Sequence, residues 1–333
     1  MFADLVLEGG GVKGIALVGA ISVLEERGYQ FRRVAGTSAG AIVGSLVAAN
    51  AGAAELEEIM RGVDYRRFQD GPRWRGLLVG KAVAVLFEQG IYEGQFLKDW
   101  LGERLARLGV RTFADLRYHD PDRPPDPEYG YRLVVMTCDI TQGRLRRLPW
   151  EYHDYGLPGA GQPVVDAVRA STSIPFFYKP ARLTGADGRD RWLVDGAMLS
   201  RFPIDVFDAP PGGEPRWPTF GIKLGAAPGN LREVRNTVAM SKAMLKTMTG
   251  FYDRMHIHDP ATAARTIVVD TGPVKATDFG LDRDAQDMLF RKGREAAAKF
   301  LDGAPGQPGW DWEAYKRSYR SSQPPAMTAA GSR

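Results

Sequence analysis

The chain has little of what disulfides and metal cages require. Among 333 residues there is one cysteine, Cys138, and only four histidines, His119, His153, His256 and His258. A lone thiol forms no intrachain disulfide and no cysteine-based zinc site; it fits a reducing compartment. Excess charge of one sign is also scarce. Lys and Arg total 44 against 40 Asp and Glu, leaving +4. That is too little to argue for a nucleic-acid partner and allows a mild preference for anionic surfaces. No apolar run reaches the roughly 20 residues of a membrane span. The window 39–54 contains Ser45 and Asn50, and the window 76–87 is short and contains Lys81. Asp4, Glu8 and Gly9 interrupt the first apolar residues, so no secretory signal is expected. The expectation is a cytoplasmic protein, at most peripheral at a membrane surface.

What is present is ordinary globular composition, 44% hydrophobic and 25% charged. No repeat or linker divides residues 1–301, so one domain is expected there. From residue 302 the composition turns to Gly, Pro, Ser and Ala, which predicts a loosely held tail over 302–333. Residues 3–7 predict a short buried strand, followed by a glycine loop at 9–14. Residues 15–27 predict a helix with Leu17, Ala20, Ile21 and Leu24 on one stripe, stopped by Gly28. A second strand at 31–35, a tight turn at 36–40 and a helix of small residues at 41–49 follow. This alternation predicts an α/β fold with a parallel sheet. Residues 55–100 read as mostly helical, with a break near 70–74. Strands are expected at 131–138 and 144–148, paired across Thr141-Gln142-Gly143, and again at 192–194, 219–224 and 265–269. Helices are expected at 164–170, 234–255 and 285–301, and a proline-rich surface loop at 120–128.

Three motifs carry chemistry. Gly36-Thr37-Ser38-Ala39-Gly40 has the form G-x-S-x-G between a strand and a helix. Such a turn strains a serine between small neighbours, with Gly36 and Gly40 as supports, and sets its hydroxyl at a helix N-terminus. Gly9-Gly10-Gly11-Val12-Lys13-Gly14 allows two readings. As G-x-G-x-x-G it is a dinucleotide fingerprint, but the second strand ends in Ala35-Gly36, with no carboxylate to hold a ribose. As an oxyanion loop, its glycines expose N–H groups and the next helix adds its dipole; Lys13 would anchor it or lie in solvent. In Asp195-Gly196-Ala197 a carboxylate stands at a strand end beside small residues.

Other groups are weaker candidates. Chain order Ser38, Asp195, then His256 or His258 would suit a Ser-Asp-His esterase, and His256-x-His258-Asp259 a metal pair, though polar residues entering a strand explain it better. His119 and His153 read as surface residues. Asp282, Asp284 and Asp287 lack the glycine of a calcium loop and read as a solvated face. The mixture of cations and aromatics from Tyr65 to Leu78, with Phe87, Ile91 and Tyr92 following, fits a helical cap touching lipid or an ordinary amphipathic region. Arg144, Arg146 and Arg147 suggest an exposed strand face.

The three motifs, in this order, resemble those of the patatin-like phospholipases, with G-G-G-x-[KR]-G, then G-x-S-x-G, then D-G-[GA]. Ala170-Ser171-Thr172-Ser173-Ile174-Pro175 is similar to that family's A-S-x-x-I-P segment, and Thr277-Asp278-Phe279 to a late one. The chain departs from it in carrying Arg201 before Phe202-Pro203, where relatives often have Asn. The resemblance covers roughly residues 3–300. It implies a three-layer α/β/α sandwich around a mostly parallel sheet, with Ser38 as nucleophile, Asp195 as general base, and Gly9, Gly10, Gly11 and Gly14 forming the oxyanion hole. The implied activity is hydrolysis of phospholipid or other acyl-ester lipids through an acyl-enzyme, with no cofactor, no metal and no nucleic acid. The alternatives are the Ser-Asp-His esterase and a lipid-binding scaffold with little turnover.

Overall fold

A computed structural model describes residues 1–71, 90–119, 126, 128–209, 213, 215–225, 240 and 259–319. In chain order its elements begin β1 (Phe2–Leu7), α1 (Gly14–Glu26), β2 (Gln30–Thr37), α2 (Ala39–Ala48), α3 (Ala53–Arg61), β3 (Gly90–Tyr92), α4 (Gln95–Arg107), β4 (Leu133–Asp139), β5 (Arg144–Leu148) and α5 (Val164–Ser171). They continue with β6 (Phe176–Tyr178), β7 (Ala181–Thr184), β8 (Asp190–Asp195), β9 (Thr219–Gly225), α6 (Pro260–Ala264), β10 (Thr266–Asp270), α7 (Arg283–Asp302) and α8 (Trp312–Tyr319).

The main sheet runs β10-β9-β1-β2-β4-β8-β7, with β5 also paired to β4. From β10 to β4 every pairing is parallel; β5, β8 and β7 are antiparallel additions. Helices flank the sheet in the expected α/β/α sandwich. All seven residues of β4 are buried, as is β1 from Ala3 to Leu7. That explains their continuous apolar reading, since a strand covered on both faces shows no alternation. Asp4 within β1 is tolerated because Arg33 reaches its carboxylate, with Nε at 3.1 Å and Nη2 at 2.5 Å. Helix α1 is buried along its whole course from Gly14 to Leu24, so it lacks a polar face. Helix α7, amphipathic and longer, packs against it.

Register brings distant motifs to one edge. Thr37 of β2 pairs with Met136 of β4, and Thr137 of β4 pairs with Asp195 of β8. Ser38 and Asp195 therefore sit level with each other, separated by one strand. After Asp195 the chain crosses over β4 at Gly196, where a Cβ would lie 2.4 Å from the Met136 carbonyl oxygen. It continues to Ser200, whose carbonyl accepts the Thr37 hydroxyl at 3.1 Å.

Several expectations need correction. Where it is described, the stretch 55–100 is helical over 55–61, 65–68 and 95–100, with the strand β3 as the departure. A short 3₁₀ turn occupies Tyr65–Phe68, and β3 pairs in parallel with β6, with Gly90 opposite Phe176. A strand of three residues whose partner lies far along the chain leaves no local signature. Strand β6 was not anticipated for the same reason; β7, also not anticipated, pairs with its neighbour β8 across a short turn. Arg146 is not on an exposed face: it is 3% exposed, pairing with Asp154, while Arg144 and Arg147 are exposed. The chain past residue 301 holds its packing as far as Tyr319. Trp310 stacks on Phe300 at 5.4 Å and meets Phe220 at 5.1 Å, and Tyr315 of α8 is buried. Aromatic anchors thus hold a segment whose Gly and Pro content suggested looseness. The expected helix at 234–255 (Met240 apart), His256, His258, residues 72–89 and most of the loop at 120–128 lie outside the described residues.

Candidate functional site

Ser38 occupies the turn from β2 to α2 with φ 53° and ψ −120°. A bulky-sided residue at positive φ costs roughly 1–3 kcal/mol, and such strain persists where surrounding structure enforces it. The enforcement is visible in both flanking glycines. A Cβ on Gly36 would meet the Gly40 carbonyl oxygen at 2.2 Å, and one on Gly40 would meet that of Leu7 at 2.2 Å. The G-x-S-x-G spacing is thus a packing requirement of the elbow. The Ser38 N–H donates to the Ser171 hydroxyl at 2.9 Å, which in turn donates to the Met136 carbonyl at 2.6 Å. Ser38 stands at the N-terminus of α2, where the helix dipole favours negative charge.

Asp195 is 4% exposed. Its N–H donates to the Ser173 carbonyl at 2.9 Å, and its carboxylate accepts from the Ala197 N–H at 2.9 Å. Burial pushes its pKa up to about 6, against the Ala197 hydrogen bond, the Ser38 side chain and the Arg201 charge, all of which favour the ionised form. The carboxylate is therefore a stronger base than a solvated aspartate, while remaining ionised at neutral pH.

The glycine loop lies beside this pair. Gly11 has φ 58°, and a Cβ there would fall 1.9 Å from the Ala276 carbonyl oxygen. The N–H groups of Gly9, Val12, Lys13 and Gly14 are already bonded, to the carbonyls of Arg201, Ala276, Gly10 and Gly11 respectively. Those of Gly10 and Gly11 meet no acceptor among the described residues. Lys13 is buried and donates to the Thr271 hydroxyl at 3.2 Å, so of its two readings the anchor holds. Burial, then the Arg201 charge, lowers its pKa.

Arg201, the departure from the family pattern, clasps the loop. Its Nη2 donates to the Gly9 carbonyl at 3.0 Å, and its own carbonyl accepts the Gly9 N–H at 3.1 Å. It also pairs at 3.5 Å with buried Glu8, which Lys223 meets at 3.2 Å. Sequence reasoning pointed to no role for Ser171, Arg169 or Glu8. Ser171 and Ser173 were within reach through the segment 170–175. Arg169, buried, joins Ser173 to the carbonyls of Glu93 at 2.5 Å and Lys179 at 3.0 Å, a set no local pattern reveals.

An apolar pocket of about 550 Å³, counting its mouth, opens onto Ser38 and Gly11. Its wall is Ile42, Met60, Val63, Tyr65, Phe68, Leu97, Trp100, Ile174, Tyr178 and Phe279, with Thr172 as a polar exception. The Tyr65 and Tyr178 hydroxyls donate to the carbonyls of Met60 and Phe68, at 3.3 and 2.9 Å. Tyr65 and Phe68, from the stretch read either as a cap or as an ordinary amphipathic region, belong to this wall. Phe279, from the late segment, stacks on Phe177 at 5.2 Å.

His119 and His153 are exposed, as expected, and neither lines the pocket. Asp282, Asp284 and Asp287 are exposed; Asp282 caps α7 and Asp287 pairs with Arg61. Among the described residues no group of three or more His, Cys, Asp or Glu could hold a metal. No helix there is long and apolar enough to cross a membrane. Cys138 is buried, and burial pushes its thiol up to about 11, away from thiolate reactivity.

Comparison with known proteins gives a consistent picture. The family model described as patatin-like phospholipase matches residues 5–208. Uncharacterized protein YqhO of Bacillus subtilis is 33% identical over 304 residues, which are 90% of this chain and 98% of that protein. Lysophospholipase nte1 of Aspergillus niger is 51% identical over 201 residues, which are 60% of this chain and 11% of that much longer protein. Among solved structures, VipD from Legionella pneumophila superposes with a TM-score of 0.50 at 18% identity, covering 90% of this chain and 66% of that one.

Proposed function

Because this chain belongs to the patatin-like phospholipase family, we propose that it is a lipid acyl hydrolase in which Ser38 and Asp195 form the catalytic dyad. The observation that carries the reading is the placement of Ser38 level with a buried carboxylate of raised pKa, one strand apart, with an apolar pocket opening at Ser38. The pocket takes the acyl chain, with its ester carbonyl beside Ser38. Ser38 Oγ attacks the carbonyl carbon while Asp195 accepts the hydroxyl proton. The tetrahedral oxyanion is held by the N–H groups of Gly10 and Gly11 and by the dipole of α2. Gly9 and Gly14, whose N–H groups are spent on the carbonyls of Arg201 and Gly11, shape the loop instead. Collapse expels the alcohol, which takes the proton from Asp195, and leaves an acyl ester on Ser38. Asp195 next deprotonates water, which attacks this ester, and collapse of the second tetrahedral intermediate releases the fatty acid as Ser38 Oγ takes the proton back from Asp195.

The substrate class is a phospholipid or other acyl-ester lipid, since the pocket that opens at Ser38 is walled by apolar side chains suited to an acyl chain. A fluorophosphonate probe tests the assignment. It should label the protein at Ser38, and Ser38→Ala should lose both labelling and hydrolysis of a short-chain p-nitrophenyl ester at nearly unchanged melting temperature. Substantial residual turnover in Ser38→Ala would remove Ser38 from the mechanism. Failure of the parent protein to label would favour a lipid-binding scaffold.

A further inference from the structure

The end of the sheet opposite Ser38 carries a second cavity. Arg32 lies near the start of β2 and Ser38 just past its end, about 20 Å apart at the rise of a strand. Arg132 directly precedes β4, which neighbours β2. Both arginines line a cavity of about 1140 Å³, counting its mouth, together with Asn50, Gly52, Tyr118 and His119. It shares no lining residue with the apolar pocket.

The two arginines are partly buried, and neither makes an ion pair among the described residues. The Arg32 guanidinium stands over the Phe2 ring at 3.5 Å, and its Nε is buried without an acceptor. The ring face serves the cation and leaves the N–H donors unserved. Arg132 Nη1 donates to the Asn50 Oδ1 at 2.7 Å, a neutral partner. Burial, then the charge of Arg32, lowers the pKa of Arg132, so the two cations stand close enough to repel. The one carboxylate in the lining, Glu25, accepts the Ala53 N–H at 2.8 Å and pairs with neither arginine. Partly buried like charges without a counter-charge cost the protein stability, and an anion between them would remove that cost.

We infer that Arg32 and Arg132 bind a phosphate monoester group, at a site separate from the one that cleaves esters. Two guanidinium forks suit the oxygens of such a group; Asn50 holds one fork and Phe2 supports the other. The cavity leaves room for the rest of a small molecule. The same chemistry is carried by a soluble phosphate ester and by a lipid whose headgroup is a bare phosphate. The inference does not rest on the hydrolase reading.

Two arms test it and separate the sources. Isothermal titration calorimetry with glycerol 3-phosphate reads the soluble form. Cosedimentation of Ser38→Ala protein with phosphatidylcholine vesicles containing about one fifth phosphatidic acid reads the headgroup. Binding is expected in at least one arm: calorimetric binding assigns a soluble ligand, and binding to these vesicles alone assigns the lipid. Arg32→Gln and Arg132→Gln should each weaken it about tenfold, and the double variant more. Arg132→Lys, which keeps the charge and loses the fork, should fall between Arg132→Gln and the parent. Without ligand, Arg132→Gln should melt no lower than the parent, because it removes a repulsion. No binding in either arm overturns the proposal. Binding that survives in the double variant also overturns it, by putting the phosphate elsewhere. So does a loss of binding matched by a loss of melting temperature, which would make the arginines packing residues.

Discussion

At the reacting edge, a methyl group added to Gly11, Gly36, Gly40 or Gly196 would meet a backbone carbonyl oxygen at 1.9, 2.2, 2.2 or 2.4 Å. In the pocket wall, by contrast, Ile42, Met60, Leu97, Trp100 and Phe279 meet through side chains supplied by separate segments. The first region is rigid because main chain abuts main chain, and its polar groups are paired across strands and loops. The second is a surface of apolar contacts that can repack with modest loss. The reaction needs fixed donors and a fixed base, whereas an acyl chain needs only room and apolar surroundings. Changes at the edge should therefore act on kcat, and changes in the wall on which chain is accepted.

The largest effect that would break this contrast is at the loop. Gly11→Ala must displace the segment at Ala276 and with it an oxyanion donor, so kcat should fall roughly 10²- to 10³-fold with KM little changed. A large rise in KM at constant kcat would instead make the loop a binding element. A smaller effect is expected in the wall. Leu97→Trp fills pocket volume, so kcat/KM for a long-chain ester should fall about tenfold, the worth of roughly two buried methylenes. A two- to four-carbon ester should be affected less than about twofold. Equal losses on both esters would erase the distinction between the regions.

The smallest effect is one of stability. Asp195 has its folded pKa raised to about 6, above the ~3.9 of an unfolded chain. The fold therefore favours the protonated form. The associated stability is fully present below about pH 4 and is lost as pH rises through 6, leaving a penalty of up to ~3 kcal/mol in alkaline solution. Asn carries no such penalty. Asp195→Asn should melt a few degrees above the parent near pH 8 and together with it near pH 4. A gap that is independent of pH would mean that Asp195 is not held in a desolvated site.

Much of the reacting edge was legible because each residue of its motifs answers a local demand. Strand, tight turn and helix around Ser38 follow from periodicity and from small residues at Gly36 and Gly40. Asp195 had a weaker signal, since Asp-Gly is a common turn, and needed the resemblance in motif order to stand out. Which N–H groups of the glycine loop stay unbonded among the described residues was not legible, because it depends on Arg201 and Ala276 taking particular ones. Nor was the wall, whose members signal only that they are apolar. Strand β3 and buried Arg146 show the same limit. Gly90 takes its conformation from Phe176 and Tyr178, and Arg146 is buried because Asp154 and Gln142 reach its guanidinium. Trp310 and Tyr315 did carry a signal, aromatic residues in a region otherwise read by its Gly and Pro.

The account depends most on Asp195 taking the proton of Ser38. The acidic limb of the pH profile cannot decide this, since a carboxylate raised to about 6 titrates where histidine does. Turnover of a soluble ester by Asp195→Asn, set against His256→Ala with His258→Ala, decides it. Asn keeps the size of Asp and part of its hydrogen bonding but accepts no proton, and in a Ser-His-Asp triad both changes are severe because histidine is the base. The dyad predicts that Asp195→Asn falls to the level of Ser38→Ala while the double histidine variant keeps most of its turnover. A folded double histidine variant as inactive as Asp195→Asn would contradict the dyad and put a histidine in the place of the base.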